Sequence, residues 1–403
     1  MNPFAATPAN NVWKMYAVRF LFWAHFVSAI LIPFYEDWGG QPFSRVLILN
    51  AWFMLWNFLL EVPTGTVADY LGRKTSVAIS FLVGMAGVAI YVSKPDFGVF
   101  LVAEVFLACS MTLLSGADEA LVYDSLKEEA ADDKALDRRA KIVLPRLESF
   151  KLGGILVAAP IGSVLAANFD LTTPFKAQFI PLTLGFLLAL TLREPTVGQQ
   201  SQHSESQPYF RLLLSGVRYF ASHRLLRVLT LDMVVVGSLS WLIIWMYQPF
   251  LKMAGVEVAW YGTVHVGMVV AQIVLLTLAP HLEKILGSQK RLLMVGPVVA
   301  GLAFIALGLW QTLAVVLPAI LLAAGFGLAR GPLFGAYLNR HIPSDKRATV
   351  LSTVSMARTI AIAVVNPIVG FCADVSLPWT AVGLGVAHLL FLGLSRVEEE
   401  HLA

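Results

Sequence analysis

Long apolar stretches separated by short polar segments recur from near the start of the chain almost to its end. Each is long enough, at about 1.5 Å of rise per residue, to carry a helix across about 30 Å of hydrocarbon. Twelve spans are predicted. Six fill the first half: Trp13 to Tyr35, Phe43 to Ala68, Ser76 to Val92, Gly98 to Leu126, Ala140 to Ala167 and Thr173 to Leu192. Six fill the second: Leu225 to Leu251, Val258 to Leu282, Leu292 to Trp310, Leu313 to Leu338, Ala348 to Ala373 and Leu377 to Leu394. Several contain Gly or Pro, which membrane helices carry more often than soluble ones.

Composition agrees with the pattern. Of 403 residues 57% are hydrophobic and 14% charged, and the mean hydropathy is +0.72, whereas a soluble domain carries about 25% charged residues. The formal net charge of +3 is too small to point to nucleic acid. Cys109 and Cys372 both lie inside apolar segments, so neither a disulfide framework nor a metal site is expected. Met1 to Asn11 lacks a basic leader and runs into a full-length span, so no cleavable signal is expected. A Gly-x-x-x-x-Gly-Lys-Ser/Thr loop is absent, which argues against an ATP-driven pump. No cofactor is expected.

The distribution of cations sets an expected orientation. Loops 2–3, 4–5, 6–7, 8–9 and 10–11 hold eighteen Lys and Arg residues, against Arg45, Lys94, Lys176 and Lys252 in the opposite loops. The positive-inside rule then places both termini in the cytoplasm of a multi-pass inner-membrane protein.

The stretch 194–222 is the one long polar segment, and its Gln- and Ser-rich centre cannot bury a core. It reads as a cytoplasmic linker, with a surface helix over 209–220, between bundles 1–193 and 223–403. The halves repeat weakly. Pro33-Phe34 with Gly39 in span 1 matches Pro249-Phe250 with Gly255 in span 7, and Ala159-Pro160-Ile161-Gly162 matches Asn366-Pro367-Ile368-Val369-Gly370.

Between spans 2 and 3 lie Gly65, Asp69, Gly72, Arg73 and Lys74, spaced G-x-x-x-D-x-x-G-R-K. Gly65 is suited to close helix approach, and Gly72 to a positive-φ turn. This loop resembles the cytoplasmic signature of the major facilitator superfamily, in its bacterial twelve-helix type. The resemblance covers essentially the whole chain. It implies an all-α membrane protein of two pseudo-symmetric six-helix bundles working by alternating access. It also implies a cytoplasmic gate in which Asp69 and Arg73 join Asp124 at the end of span 4 and the start of span 11 near Arg347. The corresponding loop of the second half, Ala279 to Arg291, is degenerate, keeping Gly287 and two cations. Many drug-exporting members of the family carry an embedded Arg on span 4, where this chain has acids.

An ionisable side chain at a helix centre in hydrocarbon costs at least about 2.5–3.5 kcal/mol, so each requires a partner or a watery face. Asp118 and Glu119 on span 4 are expected at the depth of Arg146 on span 5, with Glu148 and Lys151 nearby. Two readings stand: a buried ion-pair lock, or a polar cavity wall that titrates with substrate or proton. Glu61 is either a protonatable site or a cap for backbone groups freed by Pro63. His25 and His265 sit near mid-depth, and Arg358 is placed either for an anionic substrate group or for helix packing.

The sequence therefore predicts a monomeric secondary transporter in the lipid bilayer, not an enzyme. It would export a small amphiphilic or hydrophobic organic solute in exchange for protons. The alternatives are uptake of an anionic metabolite through Arg19, Arg146 or Arg358, and a non-transporting receptor or assembly factor on the same fold.

Overall fold

The computed structural model describes residues 5–196, 218, 223–342 and 347–399. Most of the predicted linker with its surface helix, and the side chain of Arg347, lie outside the described residues. Within them the chain is helical, with no strand. The main helices are α1 (Pro8–Trp23), α2 (Phe43–Leu71), α3 (Arg73–Tyr91), α4 (Phe97–Ser115), α5 (Asp118–Glu129), α6 (Asp133–Asn168) and α7 (Phe179–Leu190). They continue as α8 (Arg224–Trp241), α9 (Ile243–Met253), α10 (Tyr261–Leu286), α11 (Gln289–Leu309), α12 (Leu313–His341) and α13 (Arg347–Leu394).

Ten helices among the described residues are long and apolar enough to cross a membrane. Two places separate this from the predicted twelve. The first span is interrupted: α1 ends at Trp23, residues 24–30 form turns, and the chain resumes through Leu31–Pro33 and a π-helical turn at Phe34–Trp38. At the other end α13 runs through two predicted spans, with non-helical backbone at Ser376, between the expected ends Ala373 and Leu377.

Helix starts follow local chemistry. Asp96 accepts from the amides of Gly98 and Val99 ahead of α4 at 3.0 and 3.2 Å. Asp132 does so for Ala135 ahead of α6, and Ser288 for Arg291 ahead of α11. Each satisfies amides that the first helical turn leaves unpaired.

The chain divides into two compact units, Met1–Gly40 with Trp52–Ser206 and Gln41–Ala51 with Gln207–Ala403. In the first, α6 packs against α1 and its interruption. A Cβ on Gly154 would stand 2.4 Å from the carbonyl oxygen of Phe20, and one on Gly162 1.7 Å from that of Phe26. The interruption is possible in lipid because its polar backbone groups find partners. Phe26 N–H donates to Gln178 Oε1 at 3.0 Å, and His25 N–H to the carbonyl of Trp23 at 2.8 Å.

In the second unit the Arg330 guanidinium binds the Asp232 carboxylate, and both side chains are almost fully buried. Ser395 donates to the other Asp232 oxygen at 2.5 Å. Gln41–Ala51 is tied in where Asn366 Nδ2 donates to Asn50 Oδ1 at 2.7 Å and Ser44 N–H to Asp374 Oδ1 at 3.0 Å.

The described residues with positive φ are four glycines: Gly40, Gly72, Gly255 and Gly287. They fall into two pairs, each pair 32 residues apart. The spacing is common to both units, although in the first the positive-φ position is Gly40, one residue past the expected Gly39, whose φ is −81°.

Candidate functional site

Two interrupted helices meet in the first unit. Helix α1 stops at Trp23, and the helix through predicted span 4 breaks at Gly116-Ala117, so Asp118 and Glu119 open α5. Both carboxylates therefore stand at the positive end of a helix dipole. Asp118 Oδ1 accepts the amide of Glu119 at 2.6 Å.

Arg19 on α1 is the hub of the site. Its Nε lies 2.5 Å from Asp118 Oδ2, off the N–H axis, so that contact is ionic rather than a directed hydrogen bond. Its Nη2 reaches Glu119 at 3.2 Å and its Nη1 reaches Glu148 at 3.0 Å. Glu148 also pairs with Lys151 at 3.2 Å, and the Lys151 ammonium sits 4.5 Å from the centre of the Trp23 ring. Arg19 and Asp118 are 7% and 2% exposed, while Glu119 and Glu148 are 59% and 50% exposed. A cavity of about 290 Å³ opens onto this cluster, walled on its apolar side by Phe22, Trp23, Met111 and Leu114. One buried pair is thus locked, while two carboxylates remain reachable from the cavity. Counting formal charges, three acids face two cations.

The structure changes the expected pairing. The cation that meets Asp118, Glu119 and Glu148 is Arg19, 99 to 129 residues earlier in the chain, not Arg146. Arg146 is exposed on α6 and hydrogen-bonds to Tyr16. His25 lies in the interruption of span 1, with its ring 5.4 Å from that of Trp23. Glu61 is exposed on α2, and around Pro63 it is Thr64 and Thr66 that bond the carbonyls of Leu60 and Val62, at 2.8 and 3.0 Å.

In the second unit His265 Nδ1 lies 3.2 Å from Tyr247 Oη. Arg358 sits 5.6 Å above the Trp241 ring, and the indole nitrogens of Trp241 and Trp245 are buried without a hydrogen-bond partner. A larger cavity, about 450 Å³, is bordered by Arg227, Arg396 and the exposed Leu231 and Leu394. Among the described residues no three His, Cys, Asp or Glu side chains are placed to hold a metal ion.

Within two turns of the start of α5, Arg73 binds the Asp124 carboxylate and donates to the carbonyl of Ala120 at 2.7 Å. Gly72 takes φ 92°, as the turn requires. The amides of Arg73 and Lys74 donate to the two oxygens of Glu194, each at 2.7 Å. Asp69 is exposed. Arg347 opens α13. A Cβ added to Gly65 would meet nothing within 4 Å, while one added to Gly116 would lie 3.6 Å from Gly65 Cα, an ordinary contact.

The profile of the Major Facilitator Superfamily matches residues 12–366. The chain belongs to this superfamily. A curated relative, an uncharacterized MFS-type transporter, YxaM of Bacillus subtilis (strain 168), is 21% identical over 318 residues, covering 77% of this chain and 76% of its own. The fold matches a crystal structure of the nucleoside transporter NupG at TM-score 0.75 and 14% identity, covering 96% of each chain. It matches the D-xylose-proton symporter at TM-score 0.66 and 15% identity, over 97% of this chain and 98% of that one. These likenesses establish the fold. In a facilitator-superfamily chain, the Arg73–Asp124 pair ties the loop signature to α5, and the Arg19 cluster is the part no short motif announces.

Proposed function

We propose that the protein is a twelve-helix secondary active transporter in the inner membrane, with both termini cytoplasmic, that exports an amphiphilic organic solute in exchange for protons by alternating access. The observation that carries the reading is the sharing of Arg19 among Asp118, Glu119 and Glu148 at the edge of a cavity. With all three acids ionised the cluster carries one uncompensated negative charge. A proton on Glu119 or Glu148 cancels it, and so does a cationic group of the solute beside Trp23. Protonation and solute binding then compete for the same charge, which is the elementary requirement of antiport. Asp118 stays bound to Arg19 in both cases and keeps the guanidinium in place.

The Arg73–Asp124 pair serves as the first-unit part of the cytoplasmic gate, with Asp69 and the positive end of the helix beginning at Arg347 as its further members. Breaking and remaking this end is the step that exposes the solute to one side of the membrane.

One observation favours the alternative of anion uptake: Arg358 and the two unpartnered indole N–H groups of Trp241 and Trp245 make a patch of donors. Thermal stabilisation of the purified protein separates the readings, because a ligand that binds the folded state raises its melting point. A lipophilic cation such as tetraphenylphosphonium stabilises the protein under our reading. Stabilisation by organic anions alone, lost in Arg358→Gln, would replace it with the anion reading.

A further inference from the structure

A second carboxylate site lies apart from the Arg19 cluster, near the other end of α4. Glu104 is 8% exposed, Tyr35 2% and Tyr91 1%. Tyr35 belongs to the π-helical turn after the interruption of span 1, and Tyr91 ends α3. Three oxygens form a triangle. Tyr35 Oη and Tyr91 Oη are 2.6 Å apart, Tyr35 Oη is 3.2 Å from Glu104 Oε1, and Tyr91 also hydrogen-bonds Glu104 Oε1. The surrounding wall is aromatic: Phe100 stacks on Tyr91 with ring centres 5.5 Å apart, Phe175 does so at 5.6 Å, and Phe34 lies 4.0 Å from Phe175.

We infer that Glu104, Tyr35 and Tyr91 form a proton-binding site, occupied when the three residues are together, that links protonation to the position of the outer half of span 1. This deepens the proton-coupled reading above by adding a site, but the protonation itself stands independently of transport.

Two arguments carry it. The first is a proton count. Three hydrogen bonds need three protons, and the two phenols bring one each. The third must come from the carboxyl group; with Glu104 ionised, one edge of the triangle would set lone pair against lone pair. The second is the lack of a counter-charge. The titratable groups acting on Glu104 are Tyr91 and Tyr35. On the packed elements Lys176 pairs with Asp170 and Asp96 caps α4. Glu36 and Asp37 share the turn of Tyr35, and Lys94 follows Tyr91 in the chain. None of them forms an ion pair with Glu104 among the described residues. An isolated carboxylate in such surroundings is costly, and taking up a proton removes the cost.

The π turn supplies the moving part. Such turns are common at functional sites, and Tyr35 sits on a segment separated from α1 by residues 24–30. Displacement of that segment withdraws one side of the triangle, admits water and lets the proton leave.

Infrared difference spectroscopy on the purified full-length protein tests this directly. Wild type minus Glu104→Gln at neutral pH is expected to show the C=O stretch of a protonated carboxyl group. Tyr91→Phe and Tyr35→Phe keep that band's intensity and move its position, because each removes one hydrogen bond from the carboxyl. Glu104→Gln, whose amide can both donate and accept, is expected to melt like the wild type. A carboxylate signal in place of the protonated band overturns the inference, as does a band unmoved by both tyrosine variants. Solute flux is not needed for the measurement, so its outcome is separate from that of the transport reading.

Discussion

The side chain of Glu194, just beyond the sixth predicted span, accepts a hydrogen bond at 2.7 Å from the backbone amide of Arg73, the first residue of α3. Its second oxygen takes the amide of Lys74. The same device recurs in the other unit, where Glu399 accepts the amides of Gln289 and Lys290 at the start of α11, at 2.8 and 3.0 Å. In each unit, then, a glutamate past the last predicted span caps the third predicted span and compensates the positive end of its dipole. Replacing Glu194 with Ala is expected to destabilise the protein by about 0.5–2 kcal/mol, the range for a lost N-terminal cap, measured by thermal unfolding in detergent. Glu194→Gln, which keeps an acceptor, should lose less.

The second cap carries a pH dependence. The Ser288 hydroxyl, followed by the amides of Lys290 and Gln289 and the charge of Lys290, holds the Glu399 carboxyl below its usual value. A depressed value contributes stability above the unfolded pKa of about 4.3. That contribution falls away as pH drops through the folded value. The melting temperature of wild type minus that of Glu399→Gln should therefore be largest near neutrality and shrink in acid. An unchanged difference down to strongly acidic pH would deny the cap its charge.

Neighbouring glycines on α6 make a contrast. A Cβ on Gly154 would stand 2.4 Å from the backbone oxygen of Phe20, whereas one on Gly153 would meet nothing closer than the Phe20 ring at 3.6 Å. Gly154→Ala should lower the yield of monodisperse protein sharply, because backbone must move. Gly153→Ala should purify like the wild type. Size-exclusion profiles of the two variants decide it.

Removing Arg19 leaves Asp118 buried without its charge partner. The expected loss for Arg19→Gln is about 3–5 kcal/mol, the range for breaking a buried pair from one side. Arg19→Gln with Asp118→Asn removes both charges and should recover much of that stability. If the single and double variants melt together, the pair is not what holds α1 to α5.

How much of this was legible in the sequence differs by residue. The turn at Gly72 was, because a loop signature between two spans leaves only a glycine at the reversal, and its φ of 92° agrees. Asp124 was reached by resemblance, and it does meet Arg73. The interruption of span 1 was hidden, because Ala24 to Ile30 is largely apolar like its surroundings and the first Pro within the predicted span comes only at Pro33. The break at Gly116-Ala117 was hidden because Gly is common inside membrane helices. Arg19 was seen as an embedded cation, but its partners lie 99 to 129 residues away in sequence, a relation that helix rise alone cannot give. Arg146 has the right depth by counting and points elsewhere. Glu194 and Glu104 needed the fold: one caps a helix 121 residues earlier, the other completes a triangle drawn from three helices.

The most direct test of the account is pH-gradient-driven uptake of tetraphenylphosphonium into inverted proteoliposomes with an acidic lumen. The wild type should accumulate the cation and lose the accumulation when a protonophore collapses the gradient. Arg19→Gln with Asp118→Asn, folded but without the hub, should take up no more than protein-free vesicles, and Glu119→Gln with Glu148→Gln should lose the pH dependence. Wild-type accumulation in both double variants would contradict the claim that the Arg19 cluster couples the proton to the solute.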